Sequence, residues 1–158
     1  MRKGKVRRAR RFGWSLVGLS VVAVALSVVV SASANPPRQP VLGVKSFIFH
    51  GDGWGTVAPK QINNNGDPGG NVDTIRWKRW GQQTATGTGL GSVPPVHGTG
   101  WVGGQRVLLR ATRLGHCVHG GPPAYQQLYA RYPVRPGGPL GPWQRWWPSS
   151  RDICHPAN

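Results

Sequence analysis

Hydrophobic and polar residues alternate along several short stretches of the chain, and segments rich in glycine and proline separate these stretches. A period of two places successive side chains on opposite faces of a strand, and no segment after residue 34 keeps a helical repeat. The pattern predicts strands at 45–50, 73–80, 82–88, 106–114, 124–134 and 143–147. Short strands at this spacing predict a mainly β fold, as a small, loop-rich antiparallel sandwich or barrel.

The same alternation assigns side chains to faces. On strands 106–114 and 124–134, the predicted apolar face consists of Val107, Leu109, Ala111, Leu128, Ala130 and Tyr132. The opposite face carries cationic, polar and aromatic side chains: Arg106, Arg110, Thr112, Tyr125, Gln127, Tyr129 and Arg131. Trp77 shares a face with Ile75, so tryptophan is expected to supply part of a core that is poor in leucine and isoleucine.

The first 34 residues have the pattern of an export leader. Basic residues between positions 2 and 11 precede an uncharged segment, 12–34, which ends in the small residues Ala32-Ser33-Ala34 that a signal peptidase reads. An uncleaved helical anchor is the alternative, because this segment would span about 34 Å and the hydrocarbon core is about 30 Å thick. In both cases the basic end stays in the cytoplasm. The pattern predicts a hydrophobic helix at 1–34, a linker at 35–45 and an exported domain at 46–158, secreted or held in the cell envelope.

Two cysteines, Cys117 and Cys154, lie in the part predicted to be exported. Exported proteins meet an environment in which disulfides persist. Pairing is therefore the expected state of these two thiols, and it would tie the C-terminal tail to the rest of the domain.

Charge and acid content restrict the chemistry. The chain has 20 Lys and Arg against 4 acidic residues, a net charge of +16, and 13 − 4 = +9 remains after residue 34. The acidic residues are Asp52, Asp67, Asp73 and Asp152. Glycoside hydrolysis needs two facing carboxyl groups, so a chain with only these four aspartates and no glutamate is a poor candidate for that reaction.

Three groupings admit other catalytic or metal chemistry. His50 and Asp52 offer a base and an orienting acid without a Ser nucleophile in a strand-to-helix elbow. His116, His119 and His155 flank the two cysteines and could bind zinc or stay incidental. Oxygen ligands for calcium occur at 63–67, although a plain turn explains them too. The glycine run 87–91 is interpreted as a flexible turn, and no cofactor is expected.

Two segments mix cationic and indole side chains. Candidate ligand-binding residues are Arg76, Lys78, Trp80, Arg145, Trp146 and Trp147, with Trp80 and one of Trp146 and Trp147 expected at the surface. Indoles present flat apolar faces and guanidinium groups bind phosphates or carboxylates. The sequence thus predicts a non-catalytic envelope or interaction protein that binds an anionic or glycan polymer or another exported protein. Nucleic acid is not an expected partner in vivo. The alternatives are a small secreted hydrolase or metal enzyme and a secreted inhibitor acting through 133–142.

Several motifs resemble those of a family of small exported proteins from actinobacteria. They include Gly53-Trp54-Gly55-Thr56-Val57 and Pro136-Gly137-Gly138-Pro139-Leu140-Gly141-Pro142-Trp143. The resemblance covers most of 51–154 and implies export and a single domain. It carries no catalytic residue across to this chain.

Overall fold

The computed structural model of the chain describes residues 38–146 and 152–156. In these residues seven strands form one sheet, accompanied by a 3-10 helix at Pro68–Gly70 and by no α-helix. The strands are β1 Val41–Leu42, β2 Ile62–Asn63, β3 Asn71–Lys78, β4 Ala85–Val93, β5 Val102–His116, β6 Pro123–Arg131 and β7 Gln144–Arg145. The predicted mainly β class is confirmed.

The strand order is β1-β6-β5-β4-β3-β2, and β7 also pairs with β6. All neighbours are antiparallel except β1, which runs parallel to the start of β6. The sheet curls into a half-barrel instead of closing into a barrel or forming the two layers of a sandwich. Its curl creates an inner face that packs against the core and an outer face.

The predicted strands near 73–80, 106–114 and 124–134 correspond to β3, β5 and β6. The strand predicted at 45–50 is wrong, because this segment folds into turns. Two backbone hydrogen bonds close these turns, from Phe47 to Val44 at 3.0 Å and from Gly51 to Ile48 at 3.1 Å. Phe47 is nevertheless buried, so its apolar character reflects loop packing and not alternation.

The glycine run 87–91 is part of β4, which corrects its interpretation as a flexible turn. Its glycines lie on the inner face, where added Cβ atoms would meet large side chains. A Cβ on Gly87 would lie 3.0 Å from the Trp77 ring, and one on Gly89 would lie 2.6 Å from Val72. Glycine at alternate positions thus lets β3 side chains cross over β4.

Alternation changes phase at one point of the β5–β6 pair. Arg113 has a positive φ of 57°, and both Ala111 before it and Leu114 after it contact the core. On β6, Tyr125 is fully buried together with Leu128, although the two differ by an odd number of positions. The prediction that Tyr125 shares the polar face with Tyr129 is therefore wrong, because strict alternation does not pass through this irregularity.

One core joins the inner face of the sheet to irregular segments. Its largest fully buried side chains are Trp54, Tyr125, Phe47, Leu42, Ile62, Leu109 and Leu128. The Trp54 ring packs edge-on against Phe47 at 4.5 Å and against Trp146 at 6.0 Å between ring centres. The expectation that tryptophan supplies much of the core is confirmed.

The predicted leader at 1–34 lies outside the described residues. Within 38–146 and 152–156, no helix has both the length and the apolar character needed to cross a membrane. Val41 and Leu42, which fall in the predicted linker, form β1, and the Leu42 side chain is fully buried.

The predicted disulfide between Cys117 and Cys154 is confirmed, with the two Cα atoms 5.0 Å apart. It links the β5–β6 connection to the C-terminal segment. Ile153 next to it is 1% exposed, and its N–H donates to the Gln126 carbonyl at 2.9 Å. The Ile153 carbonyl in turn accepts from Val44 N–H at 3.1 Å. The C-terminal segment therefore bridges β6 and the chain that follows β1.

We expect the double variant Cys117→Ser/Cys154→Ser to lose about 4 kcal/mol of unfolding free energy, because the bond constrains a loop of sequence separation 37 in the unfolded chain. Denaturant unfolding of the oxidised protein and the variant measures the loss. Reduction of the wild-type protein should reproduce it and leave the variant unchanged. A loss below about 1 kcal/mol would show that Ile153 and its hydrogen bonds hold the C-terminal segment by themselves.

A second prediction concerns acid sensitivity. Burial acts to raise the pKa of Asp152, but hydrogen bonds from His155 and from the Cys154 N–H outweigh it and lower this pKa below its ordinary 3.8. The stabilisation is therefore complete above the unfolded pKa and is lost as pH falls through the folded one. Asp152→Asn should destabilise the protein near neutral pH, and urea unfolding at a second pH well below 3.8 should show a smaller loss. Asp52→Asn is the matched control at an exposed aspartate. Equal loss at both pH values for Asp152→Asn would contradict the role of its charge.

Candidate ligand-binding face

A row of polar residues crosses the outer face of the sheet in direct register. Lys78 on β3 pairs with Thr86, Thr86 with Arg110, Arg110 with Tyr129, and Tyr129 with Arg145 on β7. Directly opposite residues of antiparallel strands project to the same side of the sheet. With strands about 4.8 Å apart, this cationic row spans about 19 Å. A parallel row contains Arg76, Thr88, Leu108 and Arg131.

Three guanidinium groups of these rows stack with two aromatic rings. The Arg110 Cζ atom lies 4.6 Å from the centre of the Trp143 ring and 5.1 Å from that of Tyr129. Arg131 lies 5.7 Å from the Trp143 ring centre, and Arg145 lies 5.8 Å from that of Tyr129. The negative faces of the rings attract the cations, so these side chains are held in place as an arginine–aromatic cluster.

The members of the cluster differ in how their polar atoms are satisfied. Arg131 Nε donates to the Gly141 carbonyl at 2.7 Å, which fixes Arg131 to the segment after β6. Arg110 Nε is buried and has no hydrogen-bond partner among the described residues. The Arg110 Nε–H is therefore an unsatisfied buried donor.

Positive charge on the outer face is not balanced locally. Arg76, Lys78 and Arg110 form no ion pair with any described residue, and Asp73 lies at the far end of β3, in register with Leu90. Like charges on alternate strands of this row lie about 10 Å apart and repel, and water and salt screen part of this repulsion. A bound anion would relieve it.

The six residues predicted for ligand binding differ in their exposure and in their position in the fold. Arg76, Lys78 and Arg145 are exposed and lie together on the outer face. Trp80 is half-buried, with its ring edge-on to Trp77 at 4.8 Å and to Tyr125 at 4.9 Å. Its N–H donates to the Pro40 carbonyl at 2.9 Å, so Trp80 serves packing.

Trp146, one of the pair Trp146 and Trp147 of which the sequence predicts one at the surface, is 2% exposed and lies in the core. Its N–H donates to Asn64 Oδ1 at 3.2 Å, and its ring packs against Trp54. The physical reason is its position after β7: Arg145 projects to the outer face, and the next side chain turns inward. Trp147 lies outside the described residues.

Sequence reasoning did not select Arg110, Tyr129 or Trp143 as site residues. The alternation of 106–114 already placed Arg110 on a polar face, and that of 124–134 did the same for Tyr129. Their juxtaposition depends on strand register, which a single sequence does not give. Trp143 reaches the cluster through the turn that follows β6.

The candidate catalytic and zinc groups are not assembled. His50 and Asp52 form no hydrogen bond or ion pair with each other in the part of the chain that the structure describes. In the same residues no three His, Cys, Asp or Glu side chains are grouped as a metal site requires. His155 pairs with Asp152 at 2.8 Å, and His116 Nδ1 lies 3.1 Å from the Gly121 carbonyl oxygen.

The oxygen atoms considered for calcium are used within their own turn. Asn63 Oδ1 accepts from Gly66 N–H at 2.6 Å, and Asp67 Oδ1 accepts from Gly69 N–H at 3.0 Å as the N-cap of the 3-10 helix. These bonds explain the segment as a capped turn.

A pocket of about 410 Å³ is lined by residues from both sides of the sheet, since Arg145 projects outward and Ala130 and Trp146 are buried. Its walls come from the 3-10 helix, the end of β4 and the segments around β7, and include Ser92, Trp101, Tyr132, Gln144, Arg145 and Trp146. The Tyr132 hydroxyl donates to the Gly69 carbonyl at 3.1 Å. Burial, with Asp67 nearby, raises the pKa of Tyr132 well above its ordinary 10.0, so this hydroxyl stays protonated.

Comparisons with protein-family models, with curated proteins and with solved structures gave no significant match for this chain. The resemblance to small exported actinobacterial proteins stays a prediction. Two tryptophans of its motifs have structural places in the fold. Trp54 is in the core, and Trp143 lies beneath Arg110 in the arginine–aromatic cluster.

Proposed function

We propose that this protein binds an extended anionic polymer on the outer face of its sheet, without catalysing a reaction. The observation that carries the proposal is the cationic row, in which Lys78, Arg110 and Arg145 project from alternate strands. Guanidinium groups offer paired donors to carboxylates and phosphates, and stacking on Tyr129 and Trp143 orients these donors in advance.

The arrangement favours a polymer over a small anion. The cations extend across five strands and do not converge on one point, so a single phosphate or carboxylate would meet only one or two of them. A chain with repeated negative groups would meet several at once. Hydroxyl side chains between them, from Thr86 and Thr88, supply uncharged hydrogen bonds along the same surface.

The predicted export supplies the setting. An exported protein with an excess of cations encounters the phosphate- and carboxylate-bearing polymers of the cell envelope. Long-range attraction to such polymers speeds encounter but does not discriminate among them. Discrimination has to come from the arrangement of cations on the outer face, which makes the proposal testable by comparing cations on that face with cations elsewhere.

The test compares two triple variants of equal charge. Arg76→Gln/Lys78→Gln/Arg110→Gln removes three outer-face cations, and Arg38→Gln/Lys45→Gln/Lys60→Gln removes three exposed cations elsewhere. Arg145 is retained because it also lines the pocket. Affinity for polyphosphate and for polygalacturonate should fall at least about tenfold for the first variant and much less for the second. Titration calorimetry across a salt series measures both affinities.

Salt dependence gives a second readout. Removal of each contacting cation should make the slope of log affinity against log salt shallower by about one, as for other phosphate polymers. Arg110→Lys keeps the positive charge but loses the planar guanidinium group that stacks on Tyr129 and Trp143. This variant should therefore keep the salt dependence of binding and lose affinity. Equal losses in the two triple variants would reduce binding to net charge and contradict the proposed site.

A further inference from the structure

The pocket of about 410 Å³ combines an aromatic wall with uncharged polar groups. Trp101 is 49% exposed and lines the pocket with Tyr132. The indole lies against the 3-10 helix, since a Cβ added to Gly69 would meet its Cη2 atom at 2.9 Å. Glycine at this position thus makes room for the Trp101 ring.

The free polar groups of the pocket are neutral. The Ser92 hydroxyl, the Gln144 amide and the Trp101 N–H make no hydrogen bond with any described residue. A hydroxyl and an amide both donate and accept hydrogen bonds. Arg145 is the one cation among the described lining residues, and its ring contact is with Tyr129 on the outer face.

We infer that this pocket binds a saccharide ring. A sugar ring has an apolar C–H face, which can pack against the Trp101 indole. The hydroxyl groups around its edge can form hydrogen bonds with Ser92 and Gln144. A purely apolar ligand would leave the Gln144 amide and the Ser92 hydroxyl desolvated without partners, which opposes its binding. A small polyanion would find one cation. The volume of about 410 Å³ lies in the range of about 300–1,000 Å³ that is usual for small-ligand sites.

This site is distinct from the proposed polymer-binding face. It depends on Trp101, Ser92 and Gln144, whereas the outer face depends on Arg76, Lys78 and Arg110. Neutral probes therefore separate the two, because they carry no charge for the cationic row to attract. Either proposal can fail while the other stands.

The experiment is a titration of the full chain, labelled with ¹⁵N, with neutral oligosaccharides at millimolar concentration. The probes are cellohexaose, mannohexaose and N-acetylchitohexaose. We expect at least one of them to shift the Trp101 indole and the Gln144 side-chain amide signals to saturation, with an affinity that does not change with salt. The Trp143 indole on the outer face serves as the internal reference.

Variants complete the test. Trp101→Ala and Gln144→Leu should each weaken binding of the responding probe at least about tenfold. Phe49→Ala removes another exposed ring, which is 79% exposed and is not among the pocket-lining residues, and should leave binding unchanged. Gln144→Leu covers the case in which Trp101→Ala fails to fold. The inference is overturned if no probe shifts the Trp101 signal, or if shifts appear at Trp143 instead. It is also overturned if a neutral proline-rich peptide binds the pocket and the sugars do not.

Discussion

The buried indoles are the constraint on which the rest of the structure depends. Leucine, isoleucine and aromatic side chains share the core, and each buried or half-buried indole N–H needs an acceptor. Three of those acceptors lie in irregular segments, since Trp77 donates to Pro59, Trp80 to Pro40 and Trp146 to Asn64. Trp54, itself in a loop, donates to Asn63 of β2. Each bond therefore fastens a loop to the sheet, and the glycine- and proline-rich segments become ordered without helices.

That use of tryptophan divides the sheet into two faces of different chemistry. Gly87 and Gly89 on the inner face of β4 leave room for the Trp77 ring and its neighbours on β3. The threonines of β4 project to the outer face. Arginine and lysine on the neighbouring strands have no place in an indole core and also point outward. The concentration of charge on the outer face is thus a consequence of the core as well as the basis of the proposed polymer binding.

Sequence reasoning succeeded where local pattern and local chemistry coincide. Val107, Leu109 and Ala111 alternate cleanly and are buried, and the two cysteines pair. It failed where packing overrides pattern. The apolar residues around Phe47 resemble a strand but fold as turns over the sheet, and the glycine run 87–91 resembles a turn but is a strand. Tyr125 turns inward because Arg113 adopts a positive φ, which no alternation rule anticipates.

By itself, the sequence determined the β class, the disulfide, the excess of positive charge and the segregation of polar and apolar faces on the longest strands. These properties depend on neighbouring residues or on composition. The tertiary structure alone decided that Arg110 stacks between Tyr129 and Trp143, that Trp146 is buried, and that Trp101, Ser92 and Gln144 share one pocket. Strand register and loop packing create these contacts between residues distant in the chain, and one sequence does not encode them in any local pattern.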